Sequence, residues 1–314
     1  MLVYSQYALM GGLVATALAA FAYIWAVVLG HQAVTALVGR RSPTKVLVGG
    51  GDDLLDDLDG PVTAAPGRAH GPAPARVARW ASRLAWVAWA SLTVSLVLRA
   101  VVTGRGPFVT QHEFAVSMAW GFLAMYLFFE WRYRARTLAL LVLPITVGME
   151  LYALSWAATA DPLVPALQNS LLLTTHIIVA IFAYGAFAVS FAAAVLYLVH
   201  QWIPEKVAHI LPKPDVLDLL GYRGAVIGYP LLTMVIVLGA FWAEIAWGRY
   251  WSWDPKETMS LVQWLIYGGY LHARVARGWV GRGAAWLLVI AFASVILTFL
   301  GNAFFGGLHS YGVV

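Results

Sequence analysis

The chain has 314 residues, of which 61% are hydrophobic and only 11% charged, whereas a soluble globular domain carries about 25% charged residues. That balance excludes a water-soluble domain, a disordered chain and a nucleic-acid binder, and it places the chain in a bilayer. The 20 Lys and Arg outnumber the 15 Asp and Glu, an excess that membrane topology accounts for without an acidic partner, and the absence of cysteine rules out disulfides, thiolate metal sites and a cysteine nucleophile.

A helix needs about 20 mostly apolar residues to cross a membrane. Eight stretches qualify, at 5–30, 80–103, 112–130, 137–156, 170–199, 224–246, 258–276 and 284–304. The expected fold class is therefore all-α, a polytopic integral membrane protein. Residues 31–79 read as a flexible loop, because GGGDDLLDDLDG followed by PVTAAPGRAHGPAPAR is rich in Gly, Pro and Asp and cannot bury a core. The five aspartates there read as a solvated insert, not a metal site. Spans two to four then occupy 80–165, and 166–314 carries spans five to eight with a Trp-rich connection at 242–257.

Orientation follows from where Lys and Arg sit near the span ends. Arg40, Arg41, Lys45, Arg68, Arg76 and Arg79 lie in the first connection, Arg132, Arg134 and Arg136 in the third, Lys206, Lys213 and Arg223 in the fifth, and Arg274, Arg277 and Arg282 in the seventh. These fall on one side, which is expected to be the cytoplasm, leaving both termini outside. No Lys or Arg precedes Arg40, so the first span lacks the charged start of a cleavable signal peptide.

The outer connection between spans six and seven reads EIAWGRYWSWDPKETMSLVQW, and Trp242, Trp247, Trp251, Trp253 and Trp264 fall within 23 residues. An interfacial aromatic belt explains two or three of them. The whole cluster suits a platform for a large, flat, apolar ligand, since indole faces supply stacking area at little entropic cost. Arg249 and Lys256 are placed to pair with carboxylates of such a ligand. Asp254, Pro255 and Glu257 also have a structural reading as N-cap, first helical residue and third residue of a capping box for span seven. The two readings are compatible, because a capped helix N-terminus attracts anions.

His176, in the first turns of span five, and His309, after span eight in LGNAFFGGLHSYG, share the outer face with the Trp loop. A lone histidine at a helix end is usually an interfacial side chain. Two of them flanking a Trp-rich loop favour paired axial ligation of haem iron, the only metal this sequence provides for. His272 lies toward the cytoplasmic end of span seven, where a polar ring is costly unless functional or snorkelling, and Arg274 and Arg277 beside it keep simple interfacial placement open. His112, next to Glu113 at the outer start of span three, reads as an interfacial hydrogen-bonding residue.

With those residues in view, WGRYWSWDPKE resembles the tryptophan-rich signature of the haem-handling cytochrome c assembly proteins. His176 followed by Tyr184 and Phe187, and the terminal GLHSYG, are similar to the flanking histidine motifs of the CcsA (ResC) branch. The resemblance covers about Leu171 to Gly312. It implies a haem-binding subunit of a cytochrome c synthase complex that receives haem b from the cytoplasmic side and presents it outside to the CXXCH segment of apocytochrome c. In that family the Trp loop, here Trp247, Arg249, Trp251, Trp253, Asp254, Lys256 and Glu257, cradles haem while two outer histidines, here His176 and His309, ligate iron. A membrane histidine maps onto His272, with the second ligand expected from a CcsB (ResB) type partner, and thiol-reducing proteins are expected alongside. The reaction adds substrate thiols across the haem vinyl groups, and a chain without cysteine offers no competing thiol. The first half matches weakly: His112 precedes Glu113 where the family commonly has tyrosine, and the acidic insert from Gly49 to Gly60 is outside the family pattern.

Two other classes fit a helical membrane protein. A cytochrome b type electron carrier buries paired histidines at membrane depth, whereas the pair here sits at the outer surface. A secondary transporter places broken helices and ionisable residues at midmembrane, and Glu130, Glu150 and Glu244 all lie near span ends in this layout.

Overall fold

A computed structural model describes residues 1–38, 72–160, 170–204, 208, 210–304 and 306–309. The described residues form eight long helices and no strand: α1 (Leu2–Val38), α2 (Pro72–Thr103), α3 (Gln111–Tyr133), α4 (Ala139–Leu154), α5 (Ser170–Trp202), α6 (Pro214–Trp247), α7 (Pro255–Arg277) and α8 (Arg282–Phe304). The all-α polytopic class is as the composition requires. Seven of the helices are long and apolar enough to cross a membrane. The exception is α7, which has the length but carries Gln263, Tyr267, Tyr270 and Arg274 along one side.

Helix extends further than the expected loop allowed. Residues 31–38 continue α1, and α2 begins at Pro72 inside the range read as loop. The physical reason lies in the composition at each margin: QAVTALV contains no Gly or Pro, and behind Pro72 the run ARVARWASR supplies good helix formers with Pro at the tolerated first position. The acidic insert from Gly49 to Gly60 lies outside the described residues.

Helices α3 and α5 cross at the centre of the bundle. An added Cβ at Gly185 would stand 2.7 Å from the Gly121 carbonyl oxygen, so two glycines set how closely these backbones approach. Helices α1, α2 and α4 pack around the α3 side, and α6, α7 and α8 around the α5 side. On the latter side Phe187 of α5 stacks on Tyr267 of α7 at 3.7 Å, and Phe191 on Phe292 of α8 at 4.6 Å.

Charge inside an apolar bundle has to be paired and hydrogen-bonded. Arg99, fully buried near the end of α2, donates from Nε and Nη2 to Glu113 Oε1 at 3.1 and 3.0 Å, and Arg105 Nη1 donates to Glu113 Oε2 at 2.9 Å. Arg99 also donates to the carbonyls of Ala158 and Thr159. Glu113 completes a capping box with Thr110 and accepts from the Val109 amide. This cluster pins residues 105–110 to the start of α3, the segment that forms one wall of the site below. His112 is buried beside it and donates from Nδ1 to the Ala153 carbonyl at 2.9 Å, tying α3 to α4. The hydrogen bonding agrees with the sequence reading, but the interfacial placement does not, because His112 is packed against α4.

At the opposite end Glu130 accepts from the hydroxyls of Tyr23 and Tyr126 and from Arg136 Nε. On the α5 side of that end, Asp218 of α6 pairs with Arg274 of α7 and accepts from the Gly281 amide, closing the turn between α7 and α8. Of the described cations of the sequence layout, Arg132, Arg134, Arg136, Lys213, Arg274, Arg277 and Arg282 flank helix ends on this side, while Arg76 and Arg79 lie in the first turns of α2 and Arg223 in the third turn of α6.

Candidate functional site

The N-terminal ends of α3, α5 and α7 and the C-terminal ends of α6 and α8 meet around one cavity, which holds about 1160 Å³ of unoccupied space with its open mouth included. The 108–114 segment gives one wall, α5 from Leu173 to Tyr184 a second, and α6 with the following Trp loop a third. His176 and His309 both line it.

His176 stands on the first turns of α5 and donates from Nδ1 to the Val235 carbonyl of α6 at 2.9 Å. A carbonyl can only accept, so Nδ1 carries the proton and Nε2 keeps its lone pair. The ring fits because residue 239 is glycine. A Cβ there would lie 2.8 Å from His176 Cε1 and 3.2 Å from Nδ1.

His309 is held by a different partner. Its Nδ1 lies 2.8 Å from Asp254 Oδ1, and the Leu308 amide donates to Asp254 Oδ2 at 2.6 Å. Asp254 also accepts from the Lys256 amide at 2.9 Å as N-cap of α7. Burial alone would push the Asp254 carboxyl up. The hydrogen bond and charge of His309 and the two amides outweigh it, and the carboxyl is pulled down to about 2. Burial in turn pushes His309 down, against the opposing hydrogen bond from Asp254. Nδ1 faces the carboxylate, so in the neutral imidazole Nδ1 carries the proton and Nε2 the lone pair. Gly307 is part of this geometry, because a side chain at 307 would run into the Asp254 carboxylate.

The aromatic wall is built on His309. Trp247 meets the His309 ring edge-on with centroids 4.9 Å apart, Trp242 lies 5.9 Å from it, and the two indoles contact each other at 4.7 Å. Trp242 is buried and its Nε1 has no hydrogen-bond partner among the described residues. Lys256 lines the cavity from the first turn of α7, its Nζ 5.1 Å from the centroid of the Phe114 ring. The site thus offers two imidazoles, an ammonium group, an indole N–H without a partner among the described residues, and an aromatic wall on the Trp-loop side.

Glu257 lines the cavity but its Oε2 is committed to the capping box, accepting from the Ser252 amide and hydroxyl and from the Asp254 amide. That arrangement bends the chain so that Trp253 takes φ 59°, a left-handed conformation uncommon for an aromatic residue.

Of the residues singled out in the sequence, His176, His309, Trp247, Trp251, Lys256 and Glu257 are brought to the cavity. Asp254 stands behind His309. Trp253 is 69% exposed at the rim against Trp251, and Arg249 is exposed as well; neither lines the cavity. His272 is exposed on α7 and lies outside the cavity. Sequence reasoning gave no role to Val235 or Gly239, since nothing in linear order says which turn of α6 faces His176.

A profile of the family described as "Cytochrome C assembly protein" matches residues 109–309. The chain is 34% identical over 254 residues to a cytochrome c biogenesis protein CcsA of Guillardia theta, covering 71% of this chain and 83% of that one. It is also 34% identical over 285 residues to the CcsA of Gloeobacter violaceus, covering 72% and 84%. Among solved structures, a cytochrome c haem lyase CcmF superposes with a TM-score of 0.56 at 18% identity, over 93% of this chain and 47% of that one, a likeness of fold.

Proposed function

The chain belongs to the cytochrome c assembly protein family, and on that premise we propose that it serves c-type cytochrome biogenesis by holding haem b between His176 and His309 and presenting it to apocytochrome c. One observation carries the reading: two imidazoles line one cavity, and each has Nδ1 tied by an oxygen acceptor, the arrangement that fixes ring orientation in a histidine ligating through Nε2. The rest of the lining suits the same cargo. Trp242, Trp247 and Trp251 offer faces and edges to a macrocycle, and Lys256 with the unpaired Trp242 N–H offers charge and hydrogen bonding to propionates.

Haem supplies two vinyl groups. The substrate's two thiols add across them, each sulfur bonding to one vinyl carbon and the hydrogen passing to the other. The chain's contribution is positioning: the imidazoles hold the iron and the indoles fix the ring, while residues 105–110, locked by Arg99, Arg105 and Glu113, hold the opposite wall still. No side chain acts as a general acid or base in this reading. His272, exposed on α7, suits a ligand site completed by a CcsB (ResB) type subunit.

The cavity end faces away from the cytoplasm, because the Lys and Arg rich helix ends lie at the other pole. Reporters that are active only outside the cytoplasm are expected to be active when fused after Trp253 and inactive when fused within 50–70. The opposite pattern reverses the site's orientation. The binding reading is tested by purifying the chain with its partner and recording the pyridine haemochrome spectrum. A haem b spectrum is expected, with occupancy lowered in Trp247→Ala and Trp251→Ala while the protein remains in the membrane. A preparation without haem overturns the reading.

A further inference from the structure

Helix α7 is the least apolar of the long helices, and one row of its polar side chains faces the bundle interior. Gln263, Tyr267 and Tyr270 are each at most 1% exposed, and Arg274 follows one turn later. Spacings of four, three and four residues put all four on one face, each beside the next. Every one has an atom with no hydrogen-bond partner among the described residues: Gln263 Nε2, the Tyr267 and Tyr270 hydroxyls, and Arg274 Nη1. Gln263's orphan does not depend on which way the amide is drawn, because its other atom lies 3.4 Å from Thr298 Oγ1 and exchanging the two leaves one unpaired all the same.

Buried polar groups in a membrane protein are satisfied by protein or by ordered water. Four successive orphans on one helix face are not four independent accidents. Residues three or four apart on a helix are surface neighbours, so waters held by successive members of the row lie within reach of one another. The row also has defined ends. Thr298, in contact with Gln263, lines the cavity, and Arg274 is paired with Asp218 at the opposite pole. From Gln263 to Arg274 the helix rises about 16 Å, roughly half of a hydrocarbon core about 30 Å thick.

We propose that the buried face of α7 carries a file of ordered water molecules linking the floor of the cavity to the Asp218–Arg274 pair at the other end of the bundle. The ligand is water. The file gives the site a route for exchanging water and protons with the opposite face, and it accounts for the row of unsatisfied polar atoms on the packed side of α7. The proposal stands whether or not the cavity binds haem.

X-ray hydroxyl-radical footprinting of the full-length protein in lipid nanodiscs tests it, because radicals generated from a bound water label the side chain that holds it. Tyr267 and Tyr270 are expected to be labelled at least severalfold faster than Met118, a more reactive side chain buried in α3 at 1% exposure. Protection of both tyrosines to the level of Met118 overturns the file. Continuity with the cavity is read in Gln263→Leu: labelling of Tyr267 is expected to fall at least twofold while Tyr270, supplied from the other end, keeps its label. Undiminished labelling of Tyr267 in that variant breaks the link to the cavity. If the variant does not fold, the wild-type comparison with Met118 still decides whether water is present.

Discussion

Replacing His176 or His309 with Gly is expected to abolish c-type cytochrome maturation, and imidazole added to the growth medium is expected to restore part of it. Each substitution removes one lone-pair nitrogen and leaves a void of imidazole shape. At His176 that void keeps the Val235 carbonyl, and at His309 it keeps the Asp254 carboxylate, so a free imidazole entering it finds the same Nδ1 partner. Loss of the ligand itself exceeds the roughly 10- to 100-fold loss that accompanies removal of a ligand's supporting partner. The effect extends to a residue that touches no ligand. Gly239→Val puts atoms where the His176 ring lies and expels it from its bond to Val235, so it gives the His176→Gly defect, whereas imidazole does not rescue it because the void is filled. Haem per purified complex and the haemochrome spectrum are the readouts. Normal haem content in His176→Gly or His309→Gly removes that histidine from the ligand pair.

Much of this site was legible in linear order, and the reasons differ from residue to residue. The D-P-K-E spacing of Asp254 to Glu257 predicts its capping box by local rules alone, and the box forms. The density of Trp from Trp242 to Trp253 marked the aromatic wall, but not which indoles face in. Trp253 turns outward because Glu257 gathers the amides of Ser252 and Asp254, a bend set by hydrogen-bond geometry that residue types do not announce. Gly239 was invisible for another reason. Its role depends on the register between α5 and α6, fixed by contacts such as Gly224 against Ala186 and Ser190, and a helix sequence read alone has no register to a neighbour. The eight-helix layout could be read because apolar length is a one-dimensional property. The polar face of α7 blurred it, since its side chains answer to the bundle interior and not to lipid.

The sequence assigns Asp254 to the cap and to the haem cradle, and neither assignment includes the 55-residue leap to His309 that gives it a further task. The two tasks separate in Asp254→Asn. The carboxylate uses both oxygens, Oδ1 toward His309 Nδ1 and the Lys256 amide, Oδ2 toward the Leu308 amide. Asparagine has the same shape but one acceptor oxygen, so an NH₂ group must face an N–H on one side or the other. If it faces His309, the imidazole is favoured as the other tautomer and Nε2 carries the proton, which forbids ligation. If it faces Leu308, the chain segment bearing His309 loses its anchor. Either way haem affinity is expected to drop by roughly 10- to 100-fold. In the fraction that still binds, the imidazole donates less electron density without a carboxylate behind it, so the ferric state loses stability and the reduction potential rises. Glu257→Gln is the matched control: it weakens the same capping box but leaves the Asp254–His309 bond in place. A fault in the cap alone lowers thermal stability in both variants and leaves the potential where it was. A raised potential in Asp254→Asn with an unchanged one in Glu257→Gln assigns the carboxylate to His309, whereas wild-type occupancy and potential in Asp254→Asn return Asp254 to the cap alone.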